Sequence, residues 1–210
     1  MAVDPKDPRR IYLGIDGDDG GGLFVSADAG ATWSRSAVQP GSLRIYNALA
    51  VDPIDSNTIY WGACGVKGGV YFSKDQGQTW SNSLLGMNCV FDLTVGSDGT
   101  VYAAGDYGGP AVFVWANGQW KLVKKFPGPG AAEAIVIDPA NPNRIALSTV
   151  RWNNDAPGKI YLSQYQGQNW IDLTGDLPDG SGAASMTFSP DGSYLYLTRY
   201  AGTAYRIRLP

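Results

Sequence analysis

The side chains in this 210-residue sequence that could carry out acid–base chemistry are almost all carboxylates. Histidine is absent, which excludes Ser-His-Asp and Cys-His catalysis and zinc sites built on imidazole. Glu133 is the only glutamate, whereas aspartates are frequent and are mostly of the kind that stabilises turns. Any carboxylate catalysis must therefore use aspartate, Glu133 or both.

Three of these carboxylates are candidate catalytic groups because they fall in or beside predicted loops: Glu133, Asp106 and Asp155. Hydrolysis of a glycoside needs two carboxyl groups, about 6.5–9.5 Å apart for inversion or about 5–5.5 Å apart for retention. The alternative for Glu133 is a structural salt bridge to a nearby arginine. The sequence leaves both interpretations open.

A cluster of aspartates in one glycine-rich loop is the candidate metal site. Asp16, Asp18 and Asp19 supply the oxygen ligands that Ca²⁺ prefers. Their spacing does not match a complete EF-hand loop, so solvated loop acids are the alternative. No other cofactor is expected.

Charge and hydropathy exclude two classes of partner. The formal net charge of −3 and the isoelectric point of about 4.8 leave no basic footprint for nucleic acid. No apolar run approaches the roughly 18 residues that a membrane-spanning helix needs. The two cysteines, Cys64 and Cys89, fit either one disulfide or two buried thiols.

An eight-residue segment recurs along the chain at a regular distance. We call its copies the box turns: residues 26–33 (SADAGATW), 73–80 (SKDQGQTW) and 163–170 (SQYQGQNW). The starts of the first two copies are 47 residues apart and the next interval is 90, so a fourth copy is expected near residue 118. There the sequence WANGQW is a shortened version. In the eight-residue motif, the aspartate can accept backbone N–H groups, the glycine can adopt positive φ, and the tryptophan can pack over the turn.

Short apolar runs between glycine-, proline- and aspartate-rich turns predict strands, among them residues 69–73 in the second repeat and residues 185–188, 194–198 and 204–209 in the last repeat. Four antiparallel strands repeated every 40–50 residues predict an all-β fold, a β-propeller of about five four-stranded blades with trimmed terminal blades. The blades of this single domain are predicted at about residues 1–38, 42–86, 88–127, 130–177 and 182–210. The chain is expected to be either a compact five-bladed propeller or a piece of a larger one.

Propeller topology sorts the loops between two faces. The box turns and the Asp-Pro turns are predicted on one face, and the remaining loops form the opposite face, here called the loop face. Aromatic, amide and charged side chains gather there, which suits sugar hydroxyls and C–H groups. The candidate ligand-binding residues on the loop face are Trp152, Tyr107, Tyr46, Arg151, Asn153 and Tyr200. Loop packing is the alternative role for Trp152.

The box turn is identified as the Asp-box, or BNR repeat, of sialidase-like propellers. Residues 49–80, 97–110 and 137–161 resemble consecutive blades of the xyloglucanases, inverting endo-β-glucanases with two seven-bladed propellers. The resemblance covers about residues 1–175 and implies a polysaccharide or oligosaccharide ligand and an extracellular or periplasmic location. The family's catalytic motif Thr-Asp-x-Gly-Gly-Ala-Tyr-Arg-Trp is altered here, because Tyr200 stands at the position of its Asp. No second propeller fits in this chain, so the resemblance implies a propeller that is non-catalytic by itself.

Three functions remain, and carbohydrate recognition without catalysis is preferred. The second is a glycoside hydrolase acting on β-glucan or xyloglucan through the aspartate and glutamate candidates. The third is a protein-interaction scaffold with a protein partner. A sialidase-like clamp made of Arg44, Arg151 and Arg199 is disfavoured, since residues 43–46 match the sialidase start motif poorly.

Overall fold

The computed structural model describes residues 1–15, 22–36, 48–83, 86–151, 158–175, 177, 182–199 and 202–210. These residues form five antiparallel sheets, and their only helical element is the 3-10 turn Gly65–Lys67. Each strand pairs with the strand that follows it in its sheet, as expected for successive hairpins. The predicted all-β class is confirmed. No helix in this described part is long and apolar enough to cross a bilayer.

The chain divides into two compact units, Met1–Ala103 and Ala104–Pro210. The first unit contains two complete four-stranded sheets. The first sheet consists of β1 (Ala2–Val3), β2 (Ile11–Ile15), β3 (Gly22–Ser26) and β4 (Ser34–Arg35). The second consists of β5 (Leu49–Val51), β6 (Ile59–Ala63), β7 (Gly69–Ser73) and β8 (Ser81–Ser83).

The division between the units falls within the third sheet. That sheet consists of β9 (Cys89–Val95), β10 (Val101–Asp106), β11 (Pro110–Ala116) and β12 (Gln119–Lys125). The fourth sheet consists of β13 (Ala131–Asp138), β14 (Asn141–Val150), β15 (Ile160–Ser163) and β16 (Trp170–Asp172). The fifth has three strands, β17 (Ser185–Phe188), β18 (Tyr194–Thr198) and β19 (Ala204–Arg208), as the sequence predicts.

The first two box turns are held by a repeated set of hydrogen bonds. Ser26 Oγ donates to Asp28 Oδ1 (2.7 Å) and accepts from the N–H of Gly30 (2.8 Å). Asp28 accepts from the N–H and the hydroxyl of Thr32 at 2.8 and 2.6 Å, and Trp33 Nε1 donates to the Gly30 carbonyl at 3.0 Å. The second turn repeats every bond with Ser73, Asp75, Gly77, Thr79 and Trp80. The predicted roles of aspartate, glycine and tryptophan are confirmed, and the structure adds the serine as acceptor for the glycine N–H.

These bonds favour the ionised form of the two box aspartates. Hydrogen bonds from the hydroxyl and then the backbone of Thr32 lower the pKa of Asp28 to about 2. Thr79 does the same for the pKa of Asp75, which is also about 2. Both carboxylates are therefore charged throughout the physiological pH range.

The third box turn keeps only half of this network. Ser163 Oγ still accepts from the N–H of Gly167 at 2.9 Å, and Trp170 Nε1 donates to the Gly167 carbonyl at 2.8 Å. Tyr165 occupies the aspartate position and is 60% exposed. The predicted fourth copy is a two-residue turn between β11 and β12, in which Asn117 and the following glycine have φ of 55° and 76°.

Each of the three eight-residue box turns is hydrogen-bonded to the turn between the first two strands of its own sheet. Backbone N–H groups donate from one turn to carbonyls of the other in three sheets: Ala29 to Arg9 (2.8 Å), Gln76 to Asn57 (2.9 Å) and Gln166 to Asn143 (2.7 Å). The two kinds of turn therefore lie at the same end of each sheet, as predicted.

Buried apolar side chains between neighbouring sheets form a separate core in each unit. In the first unit Tyr12, Leu23, Ile59 and Trp61 are at most 1% exposed, and Trp80 of the box turn packs against them. In the second unit the core joins the fourth and fifth sheets and includes Ala146, Leu162, Ala183, Leu195 and Leu197. Burying each leucine contributes roughly 1.5–3 kcal/mol.

Two features draw β6 and β9 close together in the first unit. Cys64, just after β6, forms a disulfide with Cys89, and their Cα atoms are 4.0 Å apart. A Cβ added to Gly62 would lie 2.5 Å from the Cβ of Ala48 and 2.6 Å from Cγ1 of Val90. Of the two alternatives that the sequence leaves open, one disulfide or two buried thiols, the structure has the disulfide.

Candidate functional site

The turn between β10 and β11 presents two of the predicted site residues. Asp106 ends β10, and its Oδ1 accepts from the N–H of Gly109 at 2.9 Å. The N–H of Tyr107 donates to the Gly109 carbonyl, also at 2.9 Å. Both bonds involve Gly109, and together they fix the turn that carries Tyr107.

The Tyr107 ring contacts neighbouring side chains but remains partly exposed to solvent. It contacts Phe113 edge-to-face with ring centroids 5.4 Å apart, and Lys125 Nζ lies 5.6 Å from its centroid. The residue is nevertheless 39% exposed. A partly exposed ring with fixed neighbours is suited to contact a ligand at little entropic cost.

The loop between β12 and β13 lies between this turn and Arg151. Arg151 follows β14 and donates from its guanidinium to the Pro127 carbonyl at 3.3 Å. A Cβ on Gly128 would overlap that guanidinium, and a Cβ on Gly109 would lie 2.9 Å from the Gly128 carbonyl. The structure thus gathers Asp106, Tyr107 and Arg151 around residues 126–130.

Glu133 occupies an irregular position in β13. The ladder to β14 shifts register between Ala132, which pairs with Thr149, and Ala134, which pairs with Ser148. Glu133 therefore sits at a β-bulge, and it is only 7% exposed. Bulges commonly redirect a side chain out of the regular alternation, which fits a buried carboxylate in a strand of mostly apolar residues.

Most of the other candidates lie outside the described residues. This holds for the ligand-binding candidates Trp152, Asn153, Tyr46 and Tyr200, the catalytic candidate Asp155, and the metal candidates Asp16, Asp18 and Asp19. Their roles stay predictions. Within the described ranges no group of three or more acidic or cysteine side chains is arranged to hold a metal ion.

An open cavity of about 590 Å³, which was not among the predicted sites, lies beside the third box turn. Its lining includes Tyr165, Arg144 and five side-chain amides, which belong to Asn141, Asn143, Gln164, Gln166 and Gln168. The signal for it was present in the sequence, where a tyrosine replaces the box aspartate and glutamines occupy alternate positions.

The known proteins that this chain resembles by sequence are xyloglucanases. The chain is 35% identical over 213 residues to a xyloglucanase of Acetivibrio thermocellus and 28% identical over 211 residues to one of a Paenibacillus species. These alignments cover 82% and 81% of the chain but only 25% and 20% of the relatives. The chain thus spans a quarter or less of their length. No protein-family model matches it.

Solved structures agree on the fold. The match to the GH74 xyloglucanase of Xanthomonas campestris covers 99% of this chain and 44% of the xyloglucanase chain, with a TM-score of 0.58 and 17% sequence identity. An ancestral GH74 enzyme matches 98% of the chain and 32% of its own with a TM-score of 0.69, again at 17% identity. YCF48, solved bound to D1 peptide, matches 94% of the chain and 60% of its own with a TM-score of 0.61 at 17% identity. The β-propeller type of fold and the resemblance to xyloglucanases are confirmed.

Proposed function

We propose that this chain recognises carbohydrate, and that it binds a β-glucan or xyloglucan chain without cleaving it by itself. The observation that carries the proposal is the partly exposed Tyr107 ring, which lies in one turn with Asp106 and near the β12–β13 loop that Arg151 also contacts. An aromatic ring can contact the C–H groups of a sugar, and the carboxylate and guanidinium can bind its hydroxyls. The sequence similarity to xyloglucanases supports the choice of ligand.

Affinity electrophoresis through gels that contain soluble xyloglucan tests this proposal. Tyr107→Ala should reduce the retention of the protein in the gel severalfold. Tyr107→Phe should leave the retention unchanged because the aromatic ring is kept. Tyr196→Ala is a matched control, since Tyr196 is similarly exposed (41%) but lies in the fifth sheet. Unchanged retention of a correctly folded Tyr107→Ala variant would contradict the proposal.

Glycoside hydrolysis is the second candidate function, and the burial of Glu133 at a β-bulge favours it. A general acid acts from a site that excludes bulk water, and a buried carboxyl group in a strand meets that requirement. Incubation with xyloglucan should release no reducing ends if the first proposal holds. If reducing ends are released by the unaltered protein but not by Glu133→Gln or Asp106→Asn, glycoside hydrolysis would replace carbohydrate binding as the proposed function.

The Cys64–Cys89 disulfide supports an extracellular or periplasmic location for this function. Disulfides persist in oxidising compartments and are rare in reducing cytosol. A polysaccharide ligand would be met in the same compartments. Thiol titration of the native protein isolated from its source should therefore find no free thiol.

A further inference from the structure

We propose that the cavity at the third box turn is a second carbohydrate site, specific for a neutral sugar and separate from the Tyr107 loop. The strand β14 runs between the two places. It begins at the cavity with Asn141 and ends beside Arg151. Ten residues at about 3.3 Å each separate them by roughly 30 Å. The two sites therefore cannot share one sugar unit.

The amides of the cavity wall provide hydrogen-bonding groups of both kinds. Gln166 Nε2 donates to Asn143 Oδ1 at 2.9 Å, which holds these two side chains in place. The side-chain amides of Gln164 and Gln168 make no hydrogen bond to any described residue. Each of them offers two donors and an acceptor, the combination that matches sugar hydroxyls.

Tyr165 adds an aromatic surface at a position where the other box turns have none. In those turns the aspartate is directed back onto its own threonine and serine. Tyr165 cannot replace those bonds, and its side chain is exposed next to the amides. An exposed ring beside amide groups can contact the C–H groups of a sugar while the amides bind its hydroxyls.

The charge of the cavity selects against ionic ligands. Arg144 is the only charged side chain among the described residues that line it. Its Nε donates to Asp138 Oδ2 at 2.6 Å, a second guanidinium nitrogen pairs with the same carboxylate, and the Gly192 carbonyl accepts from it as well. Because the Asp138 side chain is fully buried, this charge is compensated within the protein. A phosphate or carboxylate ligand therefore finds no free cation here.

The first experiment restores the consensus turn. Tyr165→Asp/Asn169→Thr should fold normally, because it recreates the bonds of the first two box turns, and it removes the ring. Isothermal titration of the unaltered protein with xyloglucan heptasaccharide and with cellohexaose should show two binding events. The double variant should lose one event, with affinity reduced at least tenfold. Tyr107→Ala should remove the other event.

A second variant pair separates binding from folding. Gln168→Ala should weaken the same event severalfold, whereas Gln78→Ala, at the matching position of the second box turn, should leave it unchanged. Side-chain amide resonances of Gln164 and Gln168 should shift when the oligosaccharide is added. Full binding of a folded Tyr165→Asp/Asn169→Thr protein to both sugars, or no shift of these resonances, overturns the second site. If Tyr107→Ala removes no binding event while the event at the cavity is present and is lost in the double variant, the proposed function is overturned and this inference stands.

Discussion

The intact box turns of the first unit and the altered one of the second unit fold alike but present different surfaces. In both, a buried serine accepts from the glycine N–H and a tryptophan donates to the glycine carbonyl. The intact turns use a carboxylate that is directed inward at Thr32 or Thr79. In the altered turn, an exposed ring stands beside a cavity.

The backbone of the turn is determined by only part of the repeated motif. The serine, glycine and tryptophan suffice, since Gly30 and Gly167 have nearly the same φ of 91° and 85°. The aspartate adds bonds between side chain and backbone, but the turn forms without it. The position is therefore free to acquire another function once those bonds are given up.

The largest effect is expected where the glycines are replaced. Gly30→Ala and Gly167→Ala both force a side chain into positive φ, which costs about 1–3 kcal/mol. In Gly167→Ala the new Cβ also overlaps Val123, and overpacking adds about 1–3 kcal/mol. The nearest atom to the new Cβ in Gly30→Ala is 3.7 Å away. Urea unfolding should rank Gly167→Ala as the less stable variant, and equal losses would contradict this.

Removal of the shared serine should have the next largest effect, and it should be similar in both kinds of turn. Ser73→Ala and Ser163→Ala each leave a buried glycine N–H without its acceptor, which costs about 1–3 kcal/mol. Ser81→Ala, at an exposed strand position, is the control and should be close to neutral. If only Ser73→Ala destabilises the protein, the serine acts through the aspartate and the comparison fails.

The pH dependence of stability should distinguish the two kinds of turn. The folded-state pKa of Asp75 is about 2 and its ordinary value is 3.8. A lowered pKa stabilises the fold fully above the ordinary value, and this contribution is lost as pH falls towards the folded one. Asp75→Asn should thus reduce the acid sensitivity of the urea midpoint between about pH 4 and pH 2. Tyr165→Phe should leave that sensitivity unchanged, and a change in it would be evidence against this assignment.

The smallest effect is expected at the residue before the box glycine. Gln76→Ala and Gln166→Ala each remove one exposed side-chain bond to an asparagine but keep the backbone bond between the turns. Ala29 already occupies this position in the first turn with φ of 60°. Each variant should therefore change the free energy of unfolding by less than about 0.5 kcal/mol in urea titrations. A loss above about 1 kcal/mol would show that the side-chain bond matters more than the backbone bond.

Sequence patterns determined the strands well because turns bracket them. The third strand of the second sheet was predicted at residues 69–73 and is Gly69–Ser73, since a glycine pair and a box turn mark its ends. The fifth sheet was likewise predicted within one residue at each strand end. Local turn chemistry needs only neighbouring residues, which a sequence shows directly.

The candidate site was less accessible to sequence reasoning. Asp106 and Tyr107 were found because they share a short loop, and Arg151 was found from its place after a strand. Their approach to residues 126–130 depends on glycines that have no side chain to signal contact. The disulfide and the cavity depend on distances between residues that are far apart in sequence, which composition and spacing do not encode.

The close approach at Gly62 sets a limit on how this protein can vary. The backbone of Gly62 lies so near Ala48 and Val90 that β6 and β9 can be this close only because residue 62 has no side chain. Even alanine would push the strands apart, although the backbone conformation itself would allow it. A saturation library at this codon should therefore yield glycine alone among folded clones, while most surface positions accept many residues.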